Sequence, residues 1–579
     1  MPDSLKIDLN VEIQLHDGVK LRADIYRPDD TNKHPVLLAR LPYSKDLSPI
    51  SLSLLSPIRA AKKGYCVVIQ DTRGRFKSDG EFSLFVGEAE DGFDTVAWCA
   101  SQPWSSGQVG MYGASYFGAT QCLTATAAPP ALKAIVPTIT SSDYYEGWTY
   151  QGGAFQLGFA LQWSLGLAQG EVLRRAPAAP LDLNDLIHAL DHIDALYTSL
   201  PLTDVPQLTE LAPYYFDWLE HPSYDAYWRS IAPREAYARI SAPALNMGGW
   251  FDIFLAGTLA NYRGMRASGG SAAARQRQRL IIGPWSHGYF GNIYVEQDYG
   301  ILASTDAADL TAAQLRWFDY WLKDAENGAA EDAPVQIFVM GRNQWRTEAD
   351  WPLPDTQYRS YYLHSGGAAN TANGDGALNQ AAPGIEPHDS YTYDPRSPVP
   401  TIGGQSLLPG AMIALNVGPR DQRTIESRPD VLCYATPPLE RDTEVTGPIE
   451  LVLYIASSAR DTDFTGKLVD VFPDGRALAL TDGILRARYR NSLSAPELLQ
   501  PDTIYELHID LIATANVFRA GHCIRLDVSS SNFPRFDRNT NTGGTIAGET
   551  ASDFIPAINR IFHDQAHPSY LILPIIERN

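Results

Sequence analysis

The sequence predicts an α/β chain: a mostly parallel sheet covered by helices, interrupted by a helical cap and followed by a second, all-β domain. Three observations predict it. Short apolar runs alternate with helix-like segments up to about residue 142. The alternation then lapses over 143–240, where Trp, Tyr, Leu and Ala dominate. From about 334 to the end, short strands recur between turn residues and helical patterns are scarce.

The elements follow in chain order. Residues 1–30 alternate polar and apolar around His16-Asp17-Gly18, the pattern of an antiparallel hairpin with an Asp-Gly turn. Apolar runs at Pro35–Leu38, Tyr65–Ile69, Val109–Tyr112 and Leu132–Val136 are strands, and Ile58–Lys63 and Gly92–Ala100 are helices between them. Strands alternating with helices imply a parallel sheet buried on both faces. In the cap, Leu183–Leu196 has helical spacing. Strands resume at Ala244–Met247 and Leu280–Ile282, and the amphipathic segment Leu310–Lys323 closes the first domain. The segments Val335–Met340, Tyr358–Leu363, Ile449–Ser457, Lys467–Phe472, Tyr505–Leu511 and Cys523–Ser529 are the strands of a sandwich or jelly roll. The Gly/Asn/Ala/Ser stretch 365–377 is expected to be a mobile loop. The expected domains are thus 1–142 with 241–333, the cap 143–240, and the β-domain 334–579.

Composition narrows the function. At 579 residues with 44 % hydrophobic and 20 % charged, the chain forms a large core. A net charge of −21 disfavours nucleic acid and anionic membrane as partners. No window approaches the roughly 18 apolar residues of a membrane helix. No secretory leader is visible, so cytoplasmic residence is the expectation. Five scattered cysteines without a Cys/His cluster support neither a disulfide framework nor a zinc site, and no cofactor is implied. Cys66 and Cys122, in apolar segments, read as small buried hydrophobes.

The strongest chemical signal is Gly113-Ala114-Ser115-Tyr116-Phe117-Gly118. An apolar strand precedes it and a small-residue helix follows, the context of a nucleophile elbow. Its second glycine comes three residues after the serine instead of two. The turn sets Ser115 at a helix N-terminus, where backbone N–H groups favour developing negative charge. A serine needs a base, and the base an orienting acid. His287, in Gly283-Pro284-Trp285-Ser286-His287, and Asp252, in Gly248-Gly249-Trp250-Phe251-Asp252, both follow apolar strands, where catalytic groups collect in open α/β sheets. The order Ser115, Asp252, His287 is that of α/β-hydrolases. Asp71, Arg73 and Asp79 form a charged constellation that reads as an internal ion-pair and turn network.

These three motifs, with Asp71-Thr72-Arg73-Gly74-Arg75-Phe76-Lys77-Ser78-Asp79-Gly80, Phe338-Val339-Met340-Gly341, Tyr361-Tyr362-Leu363-His364 and Ser531-Asn532-Phe533-Pro534-Arg535, resemble the cocaine esterase-like (CocE/NonD) hydrolases, related to X-prolyl dipeptidyl peptidases and α-amino-acid ester hydrolases. The resemblance spans nearly the whole chain. It implies an α/β-hydrolase domain, a helical cap and a C-terminal jelly roll. It implies an oxyanion hole from the Tyr116 N–H and the Tyr43 hydroxyl, and an acyl pocket lined by Trp148, Trp163 and Phe254.

Relatives that take α-amino substrates place acidic residues just after the catalytic aspartate. Here Ile253-Phe254-Leu255 follow, and an ammonium group there would be desolvated without a partner. The expected activity is therefore hydrolysis of carboxylic esters with an apolar or aromatic acyl group, through an acyl-enzyme. An amidase, acylase or X-Pro dipeptidyl-peptidase-like activity uses the same triad, and Asp143 and Glu146 near Trp148 keep an amine in play. A non-catalytic binding protein on the same fold is the third reading. A small-molecule ester or amide is the expected partner, and a homodimer is left open.

Overall fold

The computed structural model describes residues 4–46, 55–175 and 183–578. Ten strands form the first sheet: β1 (Leu5–Gln14), β2 (Lys20–Pro28), β3 (His34–Leu41), β4 (Cys66–Asp71), β5 (Ser105–Ala114), β6 (Leu132–Thr138), β7 (Leu245–Phe251), β8 (Arg279–Ser286), β9 (Val335–Val339) and β10 (Gln344–Glu348). Their spatial order is β1-β2-β4-β3-β5-β6-β7-β8-β9-β10. The run from β4 to β9 is parallel. β4 and β7 are buried along their whole length, as continuous apolar runs in a parallel sheet require. β1 and β2 are the expected hairpin. The Leu15 N–H donates to the Val19 carbonyl at 2.8 Å, and Gly18 supplies the left-handed turn residue at φ 87°.

The first sheet does not end where the sequence suggested. Val335–Met340, assigned from the sequence to the β-domain, instead provides β9, parallel to β8 with Leu280 opposite Val335. β10 then turns back against it. A short apolar run reads alike as a sandwich strand or as an outer strand of a parallel sheet, and only its hydrogen-bond partner separates the two. The two sheets also meet through main chain here: the Met340 N–H donates to the Ala515 carbonyl and the Val517 N–H to the Met340 carbonyl, each at 2.9 Å.

Over the cap, helices run at Leu157–Arg175, Leu183–Asp191, Ile193–Thr198, Tyr214–Glu220 and Ala226–Ile231. The helix expected over Leu183–Leu196 is broken at His192, whose φ/ψ of −117°/30° leaves the helical region. The second sheet has eleven strands between Gln357 and Ile576, so the protein is an α/β-hydrolase domain with a cap and a C-terminal β jelly roll. The stretch 365–377 is not the loose loop its composition suggested. The Asp375 carboxylate accepts from the Gly366 and Ala368 N–H groups, and Asn370 Nδ2 donates to the Ser390 and Pro429 carbonyls. Small polar residues lower apolar content without preventing this backbone lacing.

The jelly roll locks into the cap. Buried Arg486 pairs with Asp463 at 2.9 Å and Asp537 at 2.7 Å. Asp537 also accepts the Phe155 N–H at 3.0 Å, and the Arg486 N–H donates to the Gly152 carbonyl at 2.8 Å. Gly152 has φ +53°, and a Cβ there would stand 2.0 Å from the Ile484 carbonyl oxygen. Removing one partner of a buried ion pair leaves an uncompensated charge. Arg486→Met is therefore expected to cost about 3–5 kcal/mol of stability near neutral pH, read by urea denaturation. Burial already raises the Asp537 carboxyl in the intact protein. Without the arginine the folded-state pKa of the Asp537 carboxyl rises further, so the deficit should narrow as pH falls and it protonates. A deficit that is flat with pH counts against the buried-charge account.

Candidate active site

The elbow is built between β5 and helix α1 (Tyr116–Thr126). Ser115 sits between them at φ 57°, ψ −124°, a conformation that costs a non-glycine residue on the order of 1–3 kcal/mol. Its N–H donates to the Thr138 carbonyl of β6 at 2.9 Å. The shifted second glycine has a packing reason. A Cβ at Gly118 would stand 2.6 Å from the Thr140 methyl, whereas position 117 has room for a phenylalanine ring that packs on Tyr43 at 5.6 Å. Gly113 clears the Phe117 Cβ, which a side chain at 113 would meet at 2.6 Å. Gln121, which the sequence did not single out, clamps the elbow. Its Nε2 donates to the Gly113 and Phe117 carbonyls at 3.1 and 3.0 Å, and its Oε1 accepts the Val136 N–H at 2.9 Å.

Asp252 and His287 arrive at the C-terminal ends of β7 and β8. Both motif glycines make room for Trp285: a Cβ at Gly249 would lie 2.2 Å from its carbonyl oxygen, and one at Gly283 would lie 2.5 Å from its ring. The Trp285 indole donates to the Ala303 carbonyl at 2.7 Å and that of Trp250 to the Phe338 carbonyl at 2.7 Å. His287 Nδ1 lies 2.8 Å from Asp252 Oδ1, and Nε2 lies 3.0 Å from Ser115 Oγ. With Nδ1–H donating to the carboxylate, Nε2 is the lone-pair nitrogen that accepts the Ser115 hydroxyl proton. Asp252 is wholly buried and His287 nearly so.

Tyr43 lies at the end of β3. Its hydroxyl accepts the Trp163 indole N–H at 2.9 Å and is within hydrogen-bonding reach of Ser115. Because the indole is donor-only, the Tyr43 proton is left to point elsewhere. Burial pushes this hydroxyl up to about 12, so it stays protonated, and a donor, across the neutral range. Tyr116, first residue of α1, has an N–H without an intrahelical acceptor. Its own hydroxyl is occupied elsewhere, donating to Glu88 at 3.1 Å, and Glu88 is paired with buried Arg40 at 2.8 Å.

Trp148, Trp163 and Phe254 come together beside this site. Trp148 and Phe254 stack at 3.9 Å, Trp148 and Trp163 pack at 5.7 Å, and Phe254 meets the His287 ring edge-on at 4.8 Å. Phe159 extends the group against Trp163. The two acidic candidates for an amine are engaged in turns. Asp143 pairs with Arg234 and accepts the Tyr145 and Glu146 N–H groups. Glu146 accepts the Gly152 N–H, and burial pushes its carboxyl up to about 8. The Asp71, Arg73 and Asp79 segment is a loop network: Arg73 pairs with Asp91 at 2.6 Å and Asp17 at 2.8 Å, the Asp71 carboxylate accepts the Lys45 N–H at 2.7 Å, and the Gly74 N–H donates to the Asp79 carbonyl at 2.9 Å. Within it, Arg75 was missed by the sequence reading. Its buried guanidinium donates to the Pro42 carbonyl at 2.9 Å and to the Leu167 carbonyl of the cap at 3.2 Å. It thereby ties the Tyr43 loop to the helix that carries Trp163. Among the described residues, no group of three His, Cys, Asp or Glu is placed to hold a metal ion, and no helix is long and apolar enough to cross a membrane.

Comparison with known proteins agrees with this fold. Residues 17–289 match the X-Pro dipeptidyl-peptidase (S15 family) model, and residues 327–572 match the model of the X-Pro dipeptidyl-peptidase C-terminal non-catalytic domain. The cocaine esterase of Rhodococcus sp. (strain MB1 Bresler) is 42% identical over 98% of this chain and 98% of its own. The chain belongs to the cocaine esterase-like family of serine hydrolases. Like its family, it is a carboxylic ester hydrolase. Two solved structures are similar along the family fold. An aminopeptidase from a marine sediment archaeon, Thaumarchaeota archaeon, superposes with a TM-score of 0.82 at 25% identity, covering 99% of this chain and 96% of that one. An α-amino acid ester hydrolase superposes with a TM-score of 0.81 at 26% identity, covering 99% and 97%.

Removing one preorganised oxyanion donor costs about 10²–10³ in kcat. With Tyr43 as the proposed oxyanion donor and Ser115 as the proposed nucleophile, Tyr43→Phe should lose that much on any ester while Ser115 remains titratable by a fluorophosphonate. A loss confined to KM would assign Tyr43 to substrate binding instead.

Proposed function

We propose that this cocaine esterase-like hydrolase cleaves esters whose acyl group is aromatic or bulky and apolar, with Ser115 as nucleophile, His287 as base and Asp252 as orienting acid. The continuous chain of hydrogen bonds from Ser115 through His287 to Asp252 carries this conclusion. His287 Nε2 takes the hydroxyl proton as Ser115 Oγ attacks the ester carbonyl, and Asp252 stabilises the imidazolium. The carbonyl oxygen becomes an oxyanion that the Tyr43 hydroxyl and Tyr116 N–H stabilise. As the tetrahedral intermediate collapses, the C–O bond to the alcohol breaks and the imidazolium gives its proton to the departing oxygen. Water, deprotonated by His287, then attacks the Ser115 acyl ester, and the acid leaves with Ser115 restored.

Two features support an apolar acyl group. Trp148, Trp163, Phe159 and Phe254 form one aromatic wall against His287, and such walls suit aromatic ligands. Ile253, Phe254 and Leu255 after Asp252 are buried and apolar, and Asp143 and Glu146 are already used by the backbone. An α-amino group would find no free carboxylate there. This disfavours the dipeptidyl-peptidase alternative, although relatives with peptidase names share the fold. A reducing compartment such as the cytoplasm suits the five free cysteines.

Ser115→Ala should lower ester turnover by at least about 10⁴-fold. In the unaltered protein, a benzoyl ester should be preferred over an α-amino-acid ester and an X-Pro anilide. Phe254→Ala should lower kcat/KM on the benzoyl ester about tenfold more than on the acetyl ester. Preference for the anilide would transfer the assignment to peptidase chemistry, and equal losses on both esters would remove Phe254 from the acyl pocket.

A further inference from the structure

The acyl wall meets His287 through Phe254, and the backbone that follows His287 is bordered by a loop of the jelly-roll domain. His287 Nε2 must hand its proton to the departing alcohol, so that oxygen lies against the imidazole, and the alcohol's substituent extends over whatever surface borders it. The next residue is Gly288, at φ +82°. A Cβ there would stand 3.1 Å from Met412 Cγ and 3.3 Å from its Cε. A methionine from the jelly-roll domain thus covers the backbone immediately beside the catalytic histidine, where residue 288 has no side chain of its own.

Met412 lies in a closed loop, residues 404–418. Gly404 and Gly418 exchange two main-chain hydrogen bonds, at 2.8 and 2.9 Å, that join its ends. Gln405 Nε2 donates to the Trp250 carbonyl at 2.9 Å, two residues before Asp252. Arg420, just past the loop, pairs at 2.7 Å with Glu296 of the segment that follows His287. The loop is therefore fastened to both catalytic segments of the other domain. Its tip leaves Met412 54% exposed, Ile413 68% and Leu415 47%. Three large apolar side chains within four residues, exposed at the tip of a loop whose Met412 borders the residue after His287, mark an interaction site better than scattered surface hydrophobics do. Methionine in particular adapts to apolar ligands of varied shape.

We propose that Met412 and Ile413 form the leaving-group lip of this enzyme and select esters of apolar alcohols, medium alkyl or benzylic, over esters of methanol. The proposal rests on the esterase assignment above and concerns the alcohol, where that assignment concerned the acid. Met412 is the residue that a departing alkyl chain would cover, and burying that chain against it favours acylation.

The test holds the acid constant. Methyl, hexyl and benzyl benzoate all give the same benzoyl-enzyme, so deacylation is common to the three and differences in kcat/KM report binding and loss of the alcohol. Met412→Ser and Ile413→Ser, alone and together, would be compared with the unaltered protein and with Ile385→Ser, a fully exposed residue elsewhere in the jelly roll. The expected result is a fall of about five- to twentyfold in kcat/KM on the hexyl and benzyl esters, a change of less than about twofold on the methyl ester, and no change in Ile385→Ser. An equal fall on all three esters would make the loop a structural support, and no fall on any would remove it from the site. Either overturns the proposal while leaving the esterase assignment intact. Failure of the unaltered protein to hydrolyse any of the three in a Ser115-dependent manner would overturn both.

Discussion

The strained backbone of Ser115 is the constraint around which the catalytic domain is arranged. A side chain held at positive φ relaxes unless its surroundings over-determine it, and here they do. The Thr138 carbonyl holds the Ser115 N–H, Gln121 pins strand and helix on either side of the turn, and Thr140 and Phe117 press on the two glycines. What the strain achieves is aim: Oγ reaches His287 Nε2 at 3.0 Å. The apolar sheet beneath supplies the rigidity, since β5, β6 and β7 are buried where they meet the elbow.

A second layer of organisation links three chain segments that are far apart in sequence. Arg75 joins the carbonyl beside Tyr43 to the cap helix, and Trp163 on that helix returns a hydrogen bond to the Tyr43 hydroxyl. The proposed oxyanion donor and one wall of the proposed acyl pocket are thus set by the same contacts. Charge is handled sparingly in this region. Arg40, Glu88, Arg73 and Asp91 neutralise one another within the core, leaving the reacting groups among aromatic rings, where a preorganised dipole acts more strongly than in water.

Much of this was legible in the sequence because the chemistry is carried by local motifs. The strand, Gly113-Ala114-Ser115 and the small-residue helix are contiguous, and so are the glycine-rich strand ends before Asp252 and His287. The resemblance to known esterases pointed to Tyr43 and the aromatic trio. Gln121 and Arg75 stayed hidden because each acts only through a partner that folding brings near, and a buried glutamine or arginine looks like any other in one dimension. The sheet that Val335–Met340 joins stayed hidden for the same reason: the segment has the composition of either sheet, and its pairing with β8 is a long-range fact. The stretch 365–377 shows the opposite error, where composition suggested looseness and two polar side chains, Asn370 and Asp375, supply order.

The seal between Gly152 and Arg486 also bears on how the enzyme comes into being. About 330 residues separate the two positions. At a synthesis rate of about 5–20 residues per second, the nascent cap waits tens of seconds on the ribosome before the strand that completes it emerges. Until then the Gly152 carbonyl and the Phe155 N–H lack the partners that Arg486 and Asp537 later supply. Ser115, the proposed nucleophile, is made early but is born into an unfinished room, which is closed only after Arg486 has emerged.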